Sequence, residues 1–290
     1  MAQQAVDRDE ESKGSELSAV ERLPELTKQE KDAVEATSRP NAALIHETIR
    51  AEGEAELRRT VSALLLSGLA AGLSMGFSFT TEALLHSSVA PGPEGALISH
   101  FGYTVGFLIV VLGRQQLFTE NTLTPVLPLL HNRDQETFGR VLRLWAIVLL
   151  ANLAGACIFA AGLTYTHLFG SDVERSMVEL ARPLLQFGFG TTVVKAVFAG
   201  WLIGLMVWLL PSSEGSRPLI IIILTYVVSL GGFAHVIAGS VDGLFLVFHG
   251  EASVADFFAR FFFPTLLGNV AGGITLVAAL NYGQVAPQLK

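Results

Sequence analysis

His235 lies in LGGFAHVIAGS, residues 230–240, and of the seven histidines it alone falls in the middle of a long apolar run. An ionisable group at bilayer depth is costly and marks a functional position by default. Imidazole changes charge near neutral pH, which suits it to handing a proton to a weak-acid anion. A second polar island, GRQQLFTENT at 113–122, interrupts another apolar run and carries Thr119, Glu120 and Asn121 to similar depth. Asn121 is expected to N-cap a half-helix over 122–130. The free amides and positive dipole end of such a helix favour an anion. Glu120 opposes that unless Arg114 neutralises it; an isolated carboxylate there is protonated or invites a cation. Lys195 and Arg182 are cations of the fourth run. Arg182 reads as snorkelling to headgroups, and Lys195 as deep enough to face a pore. Asn269, in LLGNVAGG, has an amide able to tie freed backbone to its neighbours.

Other chemistries find little support. Gly72-Leu-Ser-Met-Gly76 is formally a Gly-x-Ser-x-Gly sequence, which in hydrolases forms a nucleophile elbow between strand and helix. Here Ser74 falls inside a helical run, on a face of glycines, and is expected to pack. An intramembrane serine hydrolase with His235 as its base is the distant enzymatic alternative. A single cysteine, Cys157, excludes an intramolecular disulfide and any CxxC metal site. No metal or cofactor is expected. No basic patch appears, so nucleic acid is not an expected partner.

The elements that must hold these groups follow from composition. The 290 residues are 51% hydrophobic and 16% charged, with mean hydropathy +0.50; soluble chains carry about 25% charged residues. Of the net charge of −7, residues 1–58 supply −6, from 14 acids and 8 bases. They lack the apolar stretch of a signal peptide. Residues 1–40 have the composition of a disordered segment, and 41–59 suit an amphipathic surface helix with a solvated face. The expected organisation is a cytoplasmic polar tail over 1–58, a membrane domain over 59–285 and a short tail over 286–290.

Six apolar segments, 60–85, 96–130, 141–165, 187–210, 218–248 and 257–281, predict an all-α membrane protein of six transmembrane helices. The second and fifth are too long for one crossing and are broken at the two polar islands. Breaks at matching places in two three-span halves point to an inverted repeat with its site at the repeat interface. Backbone freed by a break survives only inside protein or beside a water-filled cavity. Basic residues concentrate at Arg58, Arg59, Arg133, Arg140, Arg143, Arg217 and Lys290, against Arg175 and Arg182 on the other side, with Arg260 near the outer end of span six; both termini are therefore expected inside. Glycines at 68, 72 and 76, at 200 and 204, and at 268 and 272 offer faces for close helix contact.

Taken in order and by span, LFTENT, AHVIAG and FPTLLGNVAGG resemble the formate/nitrite transporter family over residues 60–282. The resemblance implies an aquaporin-like fold in an inner (plasma) membrane, and a homopentamer with one pore per protomer. It also implies passage of small monovalent anions together with protons. His235 matches the family's central histidine and Thr119 the loop threonine able to bond it. Phe107, Leu117, Phe118, Val207 and Val228 match constriction positions. Two departures stand out. The family's lysine at the start of span four falls at Gly188, with Lys195 two turns on, and loop position 120, usually small or neutral, is Glu. Both make the pore less positive, so a neutral solute or a cation is the alternative cargo.

Overall fold

The computed structural model describes residues 27–30 and 40–285. Expectations for the polar tail before Thr27, for 31–39 and for 286–290 fall outside the described residues. The chain forms two compact units, Met1–Asn41 and Ala42–Lys290. In the first, the Thr27 hydroxyl donates to Glu30 Oε2 at 2.7 Å and accepts from the Glu30 amide at 3.3 Å, a reciprocal cap.

The second unit opens with α1 (Ala42–Leu57), then α2 (Val61–Ser88). Thr60 starts α2 by accepting the Ala63 amide. The second apolar run folds as α3 (Pro93–Phe101) and α4 (Thr104–Leu112), an irregular stretch with a 3-10 turn at Glu120–Thr122, and the short α5 (Val126–Asn132). Asp134 caps α6 (Gln135–Thr166) through the Thr137 amide at 2.7 Å. There follow α7 (Ser171–Ala181), α8 (Phe189–Leu209), α9 (Arg217–Leu230) and α10 (Ala238–Phe248). The last helical stretch contains α11 (Phe263–Ala271) between π-helical turns at Phe257–Phe262 and Gly272–Ala279.

Among the described residues, five helices are long and apolar enough to cross a membrane: Val61–Ser88, Pro93–Leu112, Gln135–Thr166, Phe189–Ser212 and Val254–Thr275. The remaining expected span, 218–248, is divided into α9 and α10, each too short alone. Every regular element among the described residues is helical. An element absent from the sequence reading is α7, which falls in an expected loop and buries Met177, Val178 and Ala181.

Residues 42–57 form an amphipathic helix, as expected, and its inner face is packed against the protein. His46, Ile49, Gly53 and Leu57 form one buried stripe. A Cβ at Gly53 would overlap the Thr124 carbonyl, so α1 lies directly on the chain after the first break. Only its outer side is charged, with Arg50 paired to Glu47 at 2.6 Å and also to Glu54. α1 belongs to the compact unit that begins at Ala42.

Glycines set the closest helix contacts, and they do so twice. A Cβ at Gly72 on α2 would strike the backbone of Asn152 on α6, and one at Gly200 on α8 would strike that of Asn269 on α11. Gly155 faces Leu69 and Leu73 of α2, while Gly272 faces Val197 and Trp201 of α8. Leu69, Gly72 and Leu73 each precede their counterparts Val197, Gly200 and Trp201 by 128 residues (197 − 69, 200 − 72, 201 − 73). The α2–α6 and α8–α11 pairs are therefore one packing unit used twice.

Two outcomes follow. Gly200→Val should lower the thermal midpoint in detergent by roughly 3–10 °C, whereas Gly139→Ala, where nothing lies within 4 Å, should leave it unchanged or slightly higher. Burial holds the His46 imidazole below the ordinary histidine range, partly offset by its bond to Glu47. Such a group supports docking of α1 fully above pH ~6.5, and its support is lost as pH falls from there through the lower value of the docked state. Limited proteolysis within α1 should accelerate from about pH 7 to 5, and His46→Gln should flatten the trend.

Candidate functional site

Each break opens in the same way. α4 ends at Gly113, whose amide bonds Ile109 O, and Arg114 turns the chain with φ 50°. α9 ends at Gly231, whose amide bonds Val227 O, and Gly232 turns it with φ 55°. Glycine adopts that left-handed conformation freely; Arg114 does so against the steric preference of its Cβ. The next amides match too: Gln115 N–H bonds Val110 O, and Phe233 N–H bonds Val228 O.

Irregular backbone follows, and a buried asparagine satisfies it in each half. Asn152 of α6 donates through Nδ2 to Gly68 O at 2.7 Å and Gln116 O at 2.8 Å, and its Oδ1 accepts the Phe118 amide at 2.9 Å. Asn269 of α11 donates through Nδ2 to Ala196 O at 2.8 Å and Ala234 O at 2.9 Å, and its Oδ1 accepts the Val236 amide at 2.8 Å. Both side chains are fully buried. Gln116 and Phe118 stand 118 residues before Ala234 and Val236 (234 − 116, 236 − 118). On the same register, Leu117 corresponds to His235 and Thr119 to Ile237. The bonding role expected of Asn269 is present; its partner Asn152 was missed. The signal was readable, since LLANLAGA at 149–156 parallels LLGNVAGG at 266–273.

The breaks meet through one side-chain contact. Thr119 Oγ1 lies 2.7 Å from His235 Nε2, and both residues are buried. The Ala238 amide bonds His235 Nδ1 at 3.2 Å. An amide only donates, so Nδ1 is the acceptor, and Nε2 carries the hydrogen donated to Thr119. His235 thereby caps the first turn of α10. Phe107 presents its ring to the imidazole in a T-shaped contact at 5.0 Å. Phe118 packs edge-on to Trp145, whose Nε1 donates to Asn121 O at 2.8 Å.

Leu117, Glu120, Asn121 and Val207 line a vestibule of ≈ 420 Å³ beneath α1, together with Arg114, Glu52 and Glu56. Phe107 and Val228, wholly buried, are not among its lining residues. Lys195 sits by the second break, its Nζ donating to Gly232 O at 2.9 Å and resting over the Phe187 ring at 4.5 Å. Arg182 is half-exposed and pairs with Glu251 at 2.9 Å.

Two expectations are corrected. Asn121 does not cap a half-helix: its amide donates to Gln116 Oε1 and Leu117 O, and α5 begins only at Val126. The bend after the 3-10 turn delays the helix by a full turn. Nor does Arg114 neutralise Glu120. Its guanidinium, 77% exposed, pairs with Glu52 at 3.1 Å, while Glu120 Oε1 is buried without a hydrogen-bond partner. The left-handed backbone at Arg114 aims its side chain outward. Ser74 lies within α2 and His235 bonds Thr119, so Ser74 and His235 do not pair.

Paired broken helices meeting at a buried histidine define a membrane protein of the transport class. A sequence model of the formate/nitrite transporter family matches residues 43–283, and the chain belongs to that family. The match extends the resemblance, drawn from 60, to include α1. The chain is 38% identical to "Inner membrane protein YfdC" of Escherichia coli (strain K12), covering 84% of this chain and 79% of the relative. It is 30% identical to "Formate channel BtFdhC" of Bacillus thuringiensis, covering 80% of this chain and 91% of the relative. Its fold is similar to that of a solved "Pentameric formate channel with formate bound" (TM-score 0.67, 18% identity, 79% of this chain and 98% of the other). It also resembles an "FNT family ion channel" (TM-score 0.73, 17% identity, 83% and 98%). The chain is thus a multi-pass membrane transport protein rather than an enzyme.

Removal of either brace strands two or three buried backbone groups, at about 1–3 kcal/mol each. Asn152→Ala and Asn269→Ala should each lower the thermal midpoint by roughly 5–20 °C. The two losses should match within a few degrees if the halves bear equal load. A fall confined to one variant would show that the repeat is geometric only.

Proposed function

We propose that the chain conducts small monovalent weak-acid anions of the formate/nitrite type, and that His235 links their passage to protons. The observation that carries this reading is the 2.7 Å contact of Thr119 Oγ1 with His235 Nε2, made between two breaks that come from opposite halves. It draws support from the relative named a formate channel and from the neighbour whose title records bound formate.

Thr119 Oγ1 accepts the ring's Nε2–H, which frees the threonine hydroxyl hydrogen for an arriving anion. Polarised by the imidazole, that hydroxyl is a strong donor. Full proton transfer through Thr119 requires the ring to gain a proton at Nδ1, where the Ala238 amide is bonded. The neutral acid then crosses the apolar zone of Phe107, Phe118 and Val228 without the several kcal/mol that a bare charge costs. Lys195 attracts anions to the mouth at the second break. Five protomers assemble with one pore each, and both termini lie on the cytoplasmic side, where α1 covers the vestibule.

Glu120 favours a second reading. Its buried, unpartnered oxygen at the vestibule suits a neutral or cationic cargo. Flux into proteoliposomes of formate, nitrite, acetate, hydrosulfide and neutral solutes, measured against pH, separates the two. Formate flux should fall at least ~10-fold in a folded His235→Ala variant, and Thr119→Ser should retain more than Thr119→Val. Unchanged flux in His235→Ala would remove the histidine from the mechanism. Glu120→Gln should raise anion flux by about two- to fivefold; abolition of flux of a cationic or neutral solute would instead assign Glu120 to its binding.

A further inference from the structure

Three polar side chains from three different spans meet outside the site just described. His100 Nδ1, at the end of α3, lies 2.9 Å from Glu82 Oε1 of α2 and 2.8 Å from Ser229 Oγ of α9. Ser229 Oγ donates to Glu82 Oε1 at 3.1 Å. With the serine hydrogen so placed, the Nδ1–H of His100 is shared between the two oxygens. Glu82 is almost wholly buried at 11% side-chain exposure, and His100 retains 27%. Gly102 packs on the Glu82 backbone, where any Cβ would clash. The triad is therefore built into a helix contact and is not a chance meeting of surface groups.

Its place in the fold gives it meaning. Twelve residues separate Ser229 from Arg217 (229 − 217), and twelve separate His100 from Leu112 (112 − 100). Arg217 and Leu112 both line the vestibule under α1. Twelve residues of helix rise roughly 18 Å, so the triad lies well beyond the vestibule, toward the opposite face. Ser229 adjoins Val228 and accepts, through its carbonyl, the amide of Gly232, whose own carbonyl holds Lys195. Tyr103 follows the triad on the second span and stacks on Phe107, the ring that faces His235.

The charged and titratable groups around it are few. Asp242 of α10 lies within electrostatic range of Glu82 and of Tyr103. The Tyr226 hydroxyl donates to Leu97 O, His86 bonds Ser176, and the Lys195 ammonium is held at Gly232. No arginine or lysine pairs with Glu82 among the described residues. With Glu82 ionised and His100 neutral, the triad carries one negative charge beside the route proposed above, and a second proton on His100, at Nε2, cancels it. That step moves one proton from solution to the ring and turns the net charge of the triad from −1 to zero.

We propose that Glu82, His100 and Ser229 form a second proton-binding site, separate from the His235–Thr119 pair, which lowers the electrostatic barrier to anions entering from the face opposite α1. The inference rests on the anion-channel reading above. Formate flux into proteoliposomes, held at equal pH inside and out, tests it through variant-to-wild-type ratios. For His100→Gln, which keeps the negative charge at every pH, the ratio should stand near one at pH 8 and fall about three- to tenfold toward pH 5.5. The Glu82→Gln ratio should stand about three- to tenfold above one at pH 8, where the wild-type triad is negative. A His100→Gln ratio that does not change with pH, or a Glu82→Gln ratio of one at pH 8, overturns the proposal. Absence of formate flux in the wild-type protein would instead overturn the anion reading. Histidine C2 hydrogen–deuterium exchange on the wild-type protein provides a readout free of variant folding. A change in the charge state of His100 across the pH range of the flux measurements supports the site, and a ring that keeps one charge state throughout rejects it.

Discussion

Opening a helix in an apolar interior frees amides and carbonyls that water cannot satisfy. Everything distinctive in this protein depends on how that demand is met. One buried asparagine per half bonds one carbonyl and one amide of its break, and with its second donor a carbonyl of the helix beside it. An amide side chain suits this task because it offers two donors and an acceptor on one rigid plane. The glycines at 72 and 200 complete the arrangement: by lacking a Cβ they let the asparagine backbone close on the partner helix.

The scaffold is duplicated, but the side chains at the breaks are not. Leu117 and His235 occupy the same place in their respective breaks, as do Thr119 and Ile237, and Glu120 and Ala238. One half provides the imidazole and the other the hydroxyl it bonds. A symmetric pair of histidines would place like groups face to face; the asymmetric pair makes one directed hydrogen bond, with the ring's tautomer set by the Ala238 amide. The two breaks thus keep one backbone geometry while their side chains differ.

Much of this was visible in the chain alone. Interrupted apolar runs at spans two and five carried the fold class, and the rarity of polar groups at that depth singled out His235 and Thr119. What escaped did so for physical reasons. Residues 42–57 are rich in charge, and only four positions on one stripe reveal that α1 is docked. Asn152 sits in an ordinary apolar span with no break of its own, so nothing local marks it; comparison of LLANLAGA with LLGNVAGG was the available signal. The partner of Arg114 depended on a left-handed backbone that sequence does not announce for arginine. Glu82, His100 and Ser229 are brought together across 18 and 129 residues, by packing and not by any motif.

The order of the braces along the chain bears on how the protein is made. Each asparagine lies downstream of the break it serves, by 34 residues from Phe118 to Asn152 and by 33 from Val236 to Asn269. As the polypeptide emerges from the ribosome, each break is therefore made before the side chain that bonds it. Stable insertion of each should wait for the helix that carries its asparagine, α6 for the first break and α11 for the second.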